Sequence, residues 1–448
     1  MDDEIYSVQP DILDENLFNP KDNEWMMKKV YEGSDLSVGE CIDKLLLLDR
    51  YFLENCTTKK SLYNVFEIAH EIMPKPNYLP KNKYSIMKFI DKIMTKCRVT
   101  KKDRICEDCS QYLGEHNAKP QVTVCPNCSS EKVNAIFAQY DLKELLKNAF
   151  EIQNLSHYID LHRKQYQNND PNIICDISSG THYQYLEKNI LKGGNDVVLL
   201  WNTDGFPISQ SSNGQVWLVQ AEIVNVRLTS RLNFRFACGI YYSREKKPNM
   251  SSFLKPTVDC FKDLYDSGLD WFDKTSNSTK HSIVVAPIAT LDAPAEAMVQ
   301  NTHQYNGEFC CGSCEHPGET CATESGSTTV YPEINPSSEA RTHDKMIKQA
   351  NEAIKNNLEH VNGVKRPSIA ALIPLFCIAT SFIPDYMNAI LLGVFRMLMS
   401  LWFDTKNKYC PWYIKKSYRD IIDQQLQNIS PPDYVTRTPR SILKSKHF

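Results

Sequence analysis

The 448 residues are enough for two or three domains with cores of their own. A formal net charge of -3 and a pI near 6.4 exclude a globally basic nucleic-acid binder, so any DNA contact has to come from local patches. Mean hydropathy of -0.43 with 42% hydrophobic residues fits a soluble globular chain, and the 16 cysteines follow an amino terminus with no secretory pattern, which points to a reducing compartment and to thiols that hold metal.

Residues 1–100 read as a helical N-terminal region. Apolar stripes run over residues 36–48, with Ser37 as cap, over 61–70, and over 84–97. Cys41, Cys56 and His70 there read as core or surface positions. Residues 101–135 carry the sharpest local motif: Cys106-Glu107-Asp108-Cys109, fifteen residues, then Cys125-Pro126-Asn127-Cys128. Two Cys-x2-Cys knuckles at this separation predict a zinc ribbon, in which two tight turns each offer two sulfurs to one tetrahedral ion. The loop between them is too short and polar to hold a core, so the metal has to contribute folding energy. Lys101, Lys102 and Arg104 read as a solvated charge run that could also reach phosphates.

Residues 136–172 read as a helix followed by a Gln- and Asn-rich linker. From residue 173 the pattern turns to strands: 196–205, ending in Asp204-Gly205 where a turn is expected, then 215–224, 233–242, a helical period over 251–269, and a fourth strand over 281–291. That fourth strand delivers Asp292 at its carboxyl end. Nineteen residues later comes Cys311-Gly312-Ser313-Cys314, half of a metal site by spacing. His303 and His316 flank that pair as candidate substitute ligands. Tyr386–Phe403 is the most apolar run; because Asn388 and Arg396 lie inside it, it reads as a buried core helix rather than a membrane span.

Asp292-Ala293-Pro294-Ala295 with Cys311-Gly312-Ser313-Cys314-Glu315-His316-Pro317-Gly318-Glu319 resembles the catalytic core of the CACTA/EnSpm-type DDE transposases, in their animal branch of transposase-derived proteins. Asp204-Gly205-Phe206-Pro207 resembles that family's first-acid element. Pro384-Asp385-Tyr386-Met387-Asn388 resembles a later one, with Asn388 where the family has His. The resemblance implies an α+β (α/β) architecture: the helical region, the zinc ribbon, an incomplete ribonuclease-H-like core over 173–320, and a partial helical insertion domain over 321–448.

By resemblance, Asp204 and Asp292 are catalytic, and Mg²⁺ or Mn²⁺ is the ion they hold for polynucleotidyl transfer on transposon-end DNA. Cys311 and Cys314 are the thiolate half of a second zinc site. The implied setting is the nucleus, with the cytoplasm as alternative, and self-association, with no membrane and no small-molecule substrate. The family's two His ligands and its catalytic Glu lie in a segment with no counterpart before Phe448, so the resemblance implies a C-terminally truncated frame, inactive alone. The alternative is a zinc-binding module that contacts DNA or protein without catalysis.

Overall fold

The computed structural model describes residues 28–38, 41, 59–79, 84, 99–116, 122–167, 174, 176–208, 214–244, 247–323, 326–430, 439 and 441–442. Two compact units divide the chain, Met1–Arg98 and Val99–Phe448. In the first, helix α1 (Lys59–Ile72) stops ahead of Pro74 and Pro76. Its last carbonyls are met by the Asn77 side-chain amide, which donates to His70 O at 3.0 Å. Phe66, Val30, Val38, Cys41 and Leu79 are buried. The helices expected over 36–48 and 84–97 lie almost wholly outside the described residues.

The second unit is built on an eight-stranded mixed sheet of order β12-β9-β4-β5-β6-β3-β1-β2. Its strands are β1 (Val99–Ile105), β2 (Tyr112–Glu115), β3 (Ala135–Tyr140), β4 (Val197–Pro207), β5 (Gln215–Ile223), β6 (Arg235–Ser243), β9 (Val284–Leu291) and β12 (Phe382–Pro384). The hairpins β7 (Leu269–Asp273) with β8 (Ser278–Ser282), and β10 (Glu319–Thr323) with β11 (Gly326–Val330), stand apart from it. Pairings β4–β9 and β9–β12 are parallel; the others in the large sheet are antiparallel.

Parallel neighbours need crossovers. The first runs from β6 through helix α5 (Met250–Asp266) to β9. The second runs through α6 (Ala293–Gln300) and α7 (His343–Lys355) to β12. Every β9 residue except Thr290 is buried, as a parallel strand covered on both faces requires. Along β4, Val197, Leu199 and Trp201 pack with Phe253, Leu254 and Phe261 of α5 in the main core. The alternate residue Val198 packs with Val285, Val224 and Tyr183 of helix α4 (Thr181–Asn189) on the other face. Helix α2 (Leu142–Glu151) is capped by Asp141 and adds Phe150, whose ring stacks on Trp271 at 4.3 Å.

Four expectations change. The ribbon is not a free-standing module, because β3 pairs with β1 on one side and with β6 on the other, carrying the knuckles' strands into the main sheet. The strand expected over 281–291 is two: β8 closes a hairpin and β9 enters the sheet. The core also runs past residue 320, for Met346, Ala350, Val364, Ala370, Ile373, Phe376 and Ile378 are buried in the same cluster as β4 and β9. The apolar run over Tyr386–Phe403 is itself not buried. Tyr386–Phe395 is a π-helical segment leading into α8 (Arg396–Phe403), and 6% of the run is buried. Leu398 and Trp402, expected in a core helix, are half-buried.

Candidate functional site

Two features carry chemistry. The first is the cysteine quartet. Cys106 and Cys125 start equivalent turns: Ser110 N–H donates to Cys106 O at 2.9 Å and Ser129 N–H to Cys125 O at 2.9 Å, while Cys106 N–H and Cys125 N–H donate to Gln111 O and Ser130 O at 2.9 and 2.8 Å. Ser110 and Ser129 take the same left-handed conformation, φ 60° and 57°. Two copies of one knuckle thus face each other. Cys106 Sγ lies 3.6 Å from Cys128 Sγ and Cys109 Sγ 3.5 Å from Cys125 Sγ, and all four sulfurs fall within 4.8 Å of one another.

A tetrahedron with Zn–S bonds of about 2.3 Å has edges of about 3.8 Å, so the spacing fits a Cys₄ structural zinc. Among the described residues no other group of three or more His, Cys, Asp or Glu side chains is gathered so tightly. Beneath the sulfurs the apolar cluster is small, Val133 and Leu113 besides the cysteines, too little to fold unaided. The Asn127 side chain, then the Gln111 N–H, hold the Cys109 thiol down at about 6, ready as a thiolate, whereas burial raises Cys106. Glu107, buried next to Cys106, accepts from Ser243 Oγ at 2.6 Å and ties the knuckle to β6. Of the neighbouring cations, Lys101 pairs with Asp103 at 3.2 Å, and Arg104 is buried against Asn134.

The second feature is a row of carboxylates at the carboxyl ends of β4, β9 and β12. Its placement starts at the other end of β4. Asp196 accepts from Gly193 N–H at 2.7 Å and Ile283 N–H at 2.8 Å, and Asn225 donates to Asp196 O and accepts from Val198 N–H. This clamp fixes β4 between β5 and β9. Trp201 pairs with Ala289, and three residues on in both strands stand Asp204 and Asp292. Pro384 pairs with Leu291, so the next residues are Asp385 and Asp292. The three acids share one level across three adjacent parallel strands, at a strand spacing of about 4.8 Å.

Asp204 is not in a turn, as its Asp-Gly sequence suggested, but within β4 opposite Leu218. Gly205 is needed for another reason, since a Cβ there would fall 2.3 Å from the Trp217 ring. Desolvation raises the Asp204 carboxyl above the ordinary range; the Gly205 N–H opposes it, and the charges of Asp292 and then Asp385 push it further up. Asp292 caps α6, accepting from Ala295 N–H at 2.8 Å, and Asp385 caps the π-helical segment through Met387 N–H at 2.9 Å. Among the described residues none of the three acids is in an ion pair. Asp385 was read from sequence only as part of a family-like element and given no role there. The signal that finds it is the one that found Asp292, an acid straight after a short apolar strand.

Cys311 and Cys314 stay together, close enough that Cys311 helps burial to raise the Cys314 thiol. Arg341, buried, holds their loop by donating to Cys311 O, Phe309 O and Asn362 O at 2.8 to 2.9 Å. Among the described residues no third ligand joins this pair. His316 has both ring nitrogens engaged by backbone, at Pro332 O and Gly318 N–H, and His303 Nδ1 meets Glu308 O. A cavity of about 270 Å³ lies at the opposite end of β4 from Asp204, lined by His162, Arg163, Tyr183 and Asp196 among others. No family model matches the chain, and none of the curated proteins matches it.

Proposed function

We propose that the chain is a transposase-derived, DNA-binding protein with a ribonuclease-H-like core of the DDE type and a structural zinc ribbon, working in the nucleus. The observation that carries this reading is the acid row: Asp204 and Asp292 stand at the same level on adjacent parallel strands. The sheet segment β6-β5-β4-β9-β12 supports it, with an antiparallel first hairpin, a helix before the fourth strand and parallel fourth and fifth strands. So does the raised Asp204 carboxyl, pushed up by desolvation first and then by the charges of Asp292 and Asp385, since a hard divalent cation takes carboxylate oxygens and offsets such repulsion.

Asp204, Asp292 and Asp385 are the side chains that would hold Mg²⁺ or Mn²⁺. When bound, such ions activate the attacking oxygen and stabilise the leaving oxygen in phosphoryl transfer. The protein's own contribution is rigid delivery: the Asp196–Asn225 clamp sets β4, and helix caps orient Asp292 and Asp385. An Asp on the fifth strand carries its charge on a shorter arm than the catalytic Glu of the resembled family. The expected result is therefore DNA binding without joining by this chain alone.

The test incubates the purified full chain with terminal-repeat DNA and Mg²⁺ or Mn²⁺, beside a gel shift against arbitrary DNA. A preference for terminal repeats without nicking or joining is expected. Cleavage lost on both Asp292→Ala and Asp385→Asn would show that Asp385 completes an active site. Absence of any DNA binding would leave a zinc-ribbon module for protein partners, which the acidic charge balance favours.

A further inference from the structure

A cavity of about 270 Å³ lies where helix α3 (Leu155–Gln167) and α4 meet the loop that leads into β4. Asp196, in its wall, precedes Asp204 by eight residues, roughly 26 Å at about 3.3 Å each, so the cavity is separate from the acid row. Its lining is graded. Ile159, His162 and Tyr183 are buried, and burial lowers the imidazole and raises the phenol, which keeps both uncharged near neutral pH. Arg163, half-buried and held by Gly194 O and Asp160, and Lys192, exposed, stand nearer the solvent. Of the two acids in the wall, Asp196 is spent on the Gly193 and Ile283 N–H groups and Glu187 is exposed. Around His162 the guanidiniums of Arg231, Arg163 and Arg227 outnumber the one opposing carboxylate, Asp176. Lys192 has no ion-pair partner among the described residues.

Tyr183 is 5% exposed and its ring is fixed against Val198, Val224 and Val285, yet among the described residues its hydroxyl has no hydrogen-bond partner. A buried phenol ordinarily finds one, and here the side chain borders the cavity. We propose that the cavity binds a nucleoside monophosphate, with the base against Ile159 and the Tyr183 hydroxyl and the phosphate at Arg163 and Lys192. The phenol both donates and accepts, so it can meet either kind of group on a base edge. An inorganic anion would leave the uncharged inner wall unmatched, and an uncharged ring would leave the outer cations unmatched. About 270 Å³ is near the lower end of small-ligand sites, roughly 300–1,000 Å³, and gives room for one nucleotide unit. A free nucleotide and the phosphorylated end of a DNA strand present this same chemistry. The inference rests on the cavity alone and stands whether or not the acid row holds metal.

Isothermal titration of the full chain with thymidine 5′-monophosphate should show one site with a Kd on the order of 10–100 μM. Thymidine alone and inorganic phosphate alone should each bind at least about 10-fold more weakly. Tyr183→Phe, which keeps the ring on its valine neighbours, should weaken nucleotide and nucleoside alike by about 5- to 10-fold. Lys192→Gln, on an exposed side chain, should weaken the nucleotide by about 5-fold and leave the nucleoside unchanged. Competition by a 5′-phosphorylated single strand, beyond that of the same strand with a 5′-hydroxyl, would assign the site to strand ends. Competition by neither would assign it to the free nucleotide. The proposal would be overturned by absence of nucleotide binding, by phosphate binding as tightly as the nucleotide, by equal competition from both strands, or by an affinity indifferent to both substitutions.

Discussion

Asp204 and His162 sit at opposite ends of β4 and respond to pH in opposite senses. Asp204 has its folded-state carboxyl raised by desolvation and by its acidic neighbours, so ionising it costs the folded state. That cost is fully present above the raised folded value and vanishes as pH falls below the ordinary Asp range. Asp204→Asn is therefore expected to raise Tm slightly at neutral pH without divalent cation, the effect being damped by solvent because Asp204 is exposed. The gain should fade on acidification, and Mg²⁺ should narrow it by stabilising only the parent chain. Scanning calorimetry across pH, with and without Mg²⁺, checks this; a lower Tm for the variant at neutral pH would contradict it.

His162 is buried against Ser178, and burial first, then the charge of Arg231, hold it down at about 4 against an ordinary 6.5. Below that ordinary value the unfolded chain takes up a proton that the folded chain refuses. Stability should fall by up to about 3 kcal/mol between those two pH values. His162→Phe should flatten that part of the urea-unfolding profile, and an unchanged slope would rule the assignment out. At this scale the sequence was only half legible. Asp292 announced itself by following an apolar strand and Asp204 by its family element, but the placement of Asp204 within β4 was masked by the turn-like Asp-Gly pair, whose glycine makes room for Trp217. Nothing local in the sequence marks His162, because its shift comes from helices and loops distant along the chain.

The cysteine quartet shows what spacing reveals of an element and what it leaves out. Four cysteines at fixed offsets specified two knuckles, and the sulfurs lie within 4.8 Å of one another, close enough to hold one metal ion. The spacing said nothing about β3, whose Ala135–Tyr140 completes the ribbon beyond the last cysteine and joins it to β6. An excised ribbon ending at residue 135 would thus lack a strand, and the full chain is the proper test object. Metal analysis should return one tightly held zinc per chain. Cys125→Ser should remove it and lower Tm by about 5 °C or more, since a structural zinc contributes several kcal/mol and the released knuckle strips β1 of support. Hydrogen exchange should then rise along β1 and β3 before it rises along β9. Retention of stoichiometric zinc by Cys125→Ser would contradict the four-thiolate site. The second pair, Cys311 and Cys314, was just as legible by spacing, yet its loop is held by Arg341 and no third donor joins it among the described residues.

Across the whole molecule, what the sequence concealed is how far the core extends along the chain. Period and composition marked β4, β5, β6, α5 and β9, because each buries a regular apolar face. They did not mark β12, three residues long, or the irregular stretch before it. There Ala370, Ile373, Phe376 and Ile378 fill the space between α5 and the sheet without any periodic pattern. Phe376 packs on Trp201 at 5.5 Å and on Phe382 at 5.2 Å, and Gln300 donates to Ile378 O at 2.9 Å. A core closed near Glu319 would lose all of these contacts and leave β9 as an unpaired edge on its outer side.

Limited proteolysis distinguishes the two boundaries. The exposed hairpin β10–β11 should be nicked early, but the two pieces should stay together, because Met346, Ala350, Val364, Ile373, Phe376 and Ile378 are buried in the main core. Release should occur only beyond Pro384, with the loop around residues 404–415 as the next accessible site. The smallest stable product should therefore include both Asp292 and Asp385, under native conditions, as one non-covalent body. A stable fragment ending near residue 320, with residues 341–384 lost to digestion, would show that the strand carrying Asp385 is dispensable to the core, and the three-strand acid row would fall with it.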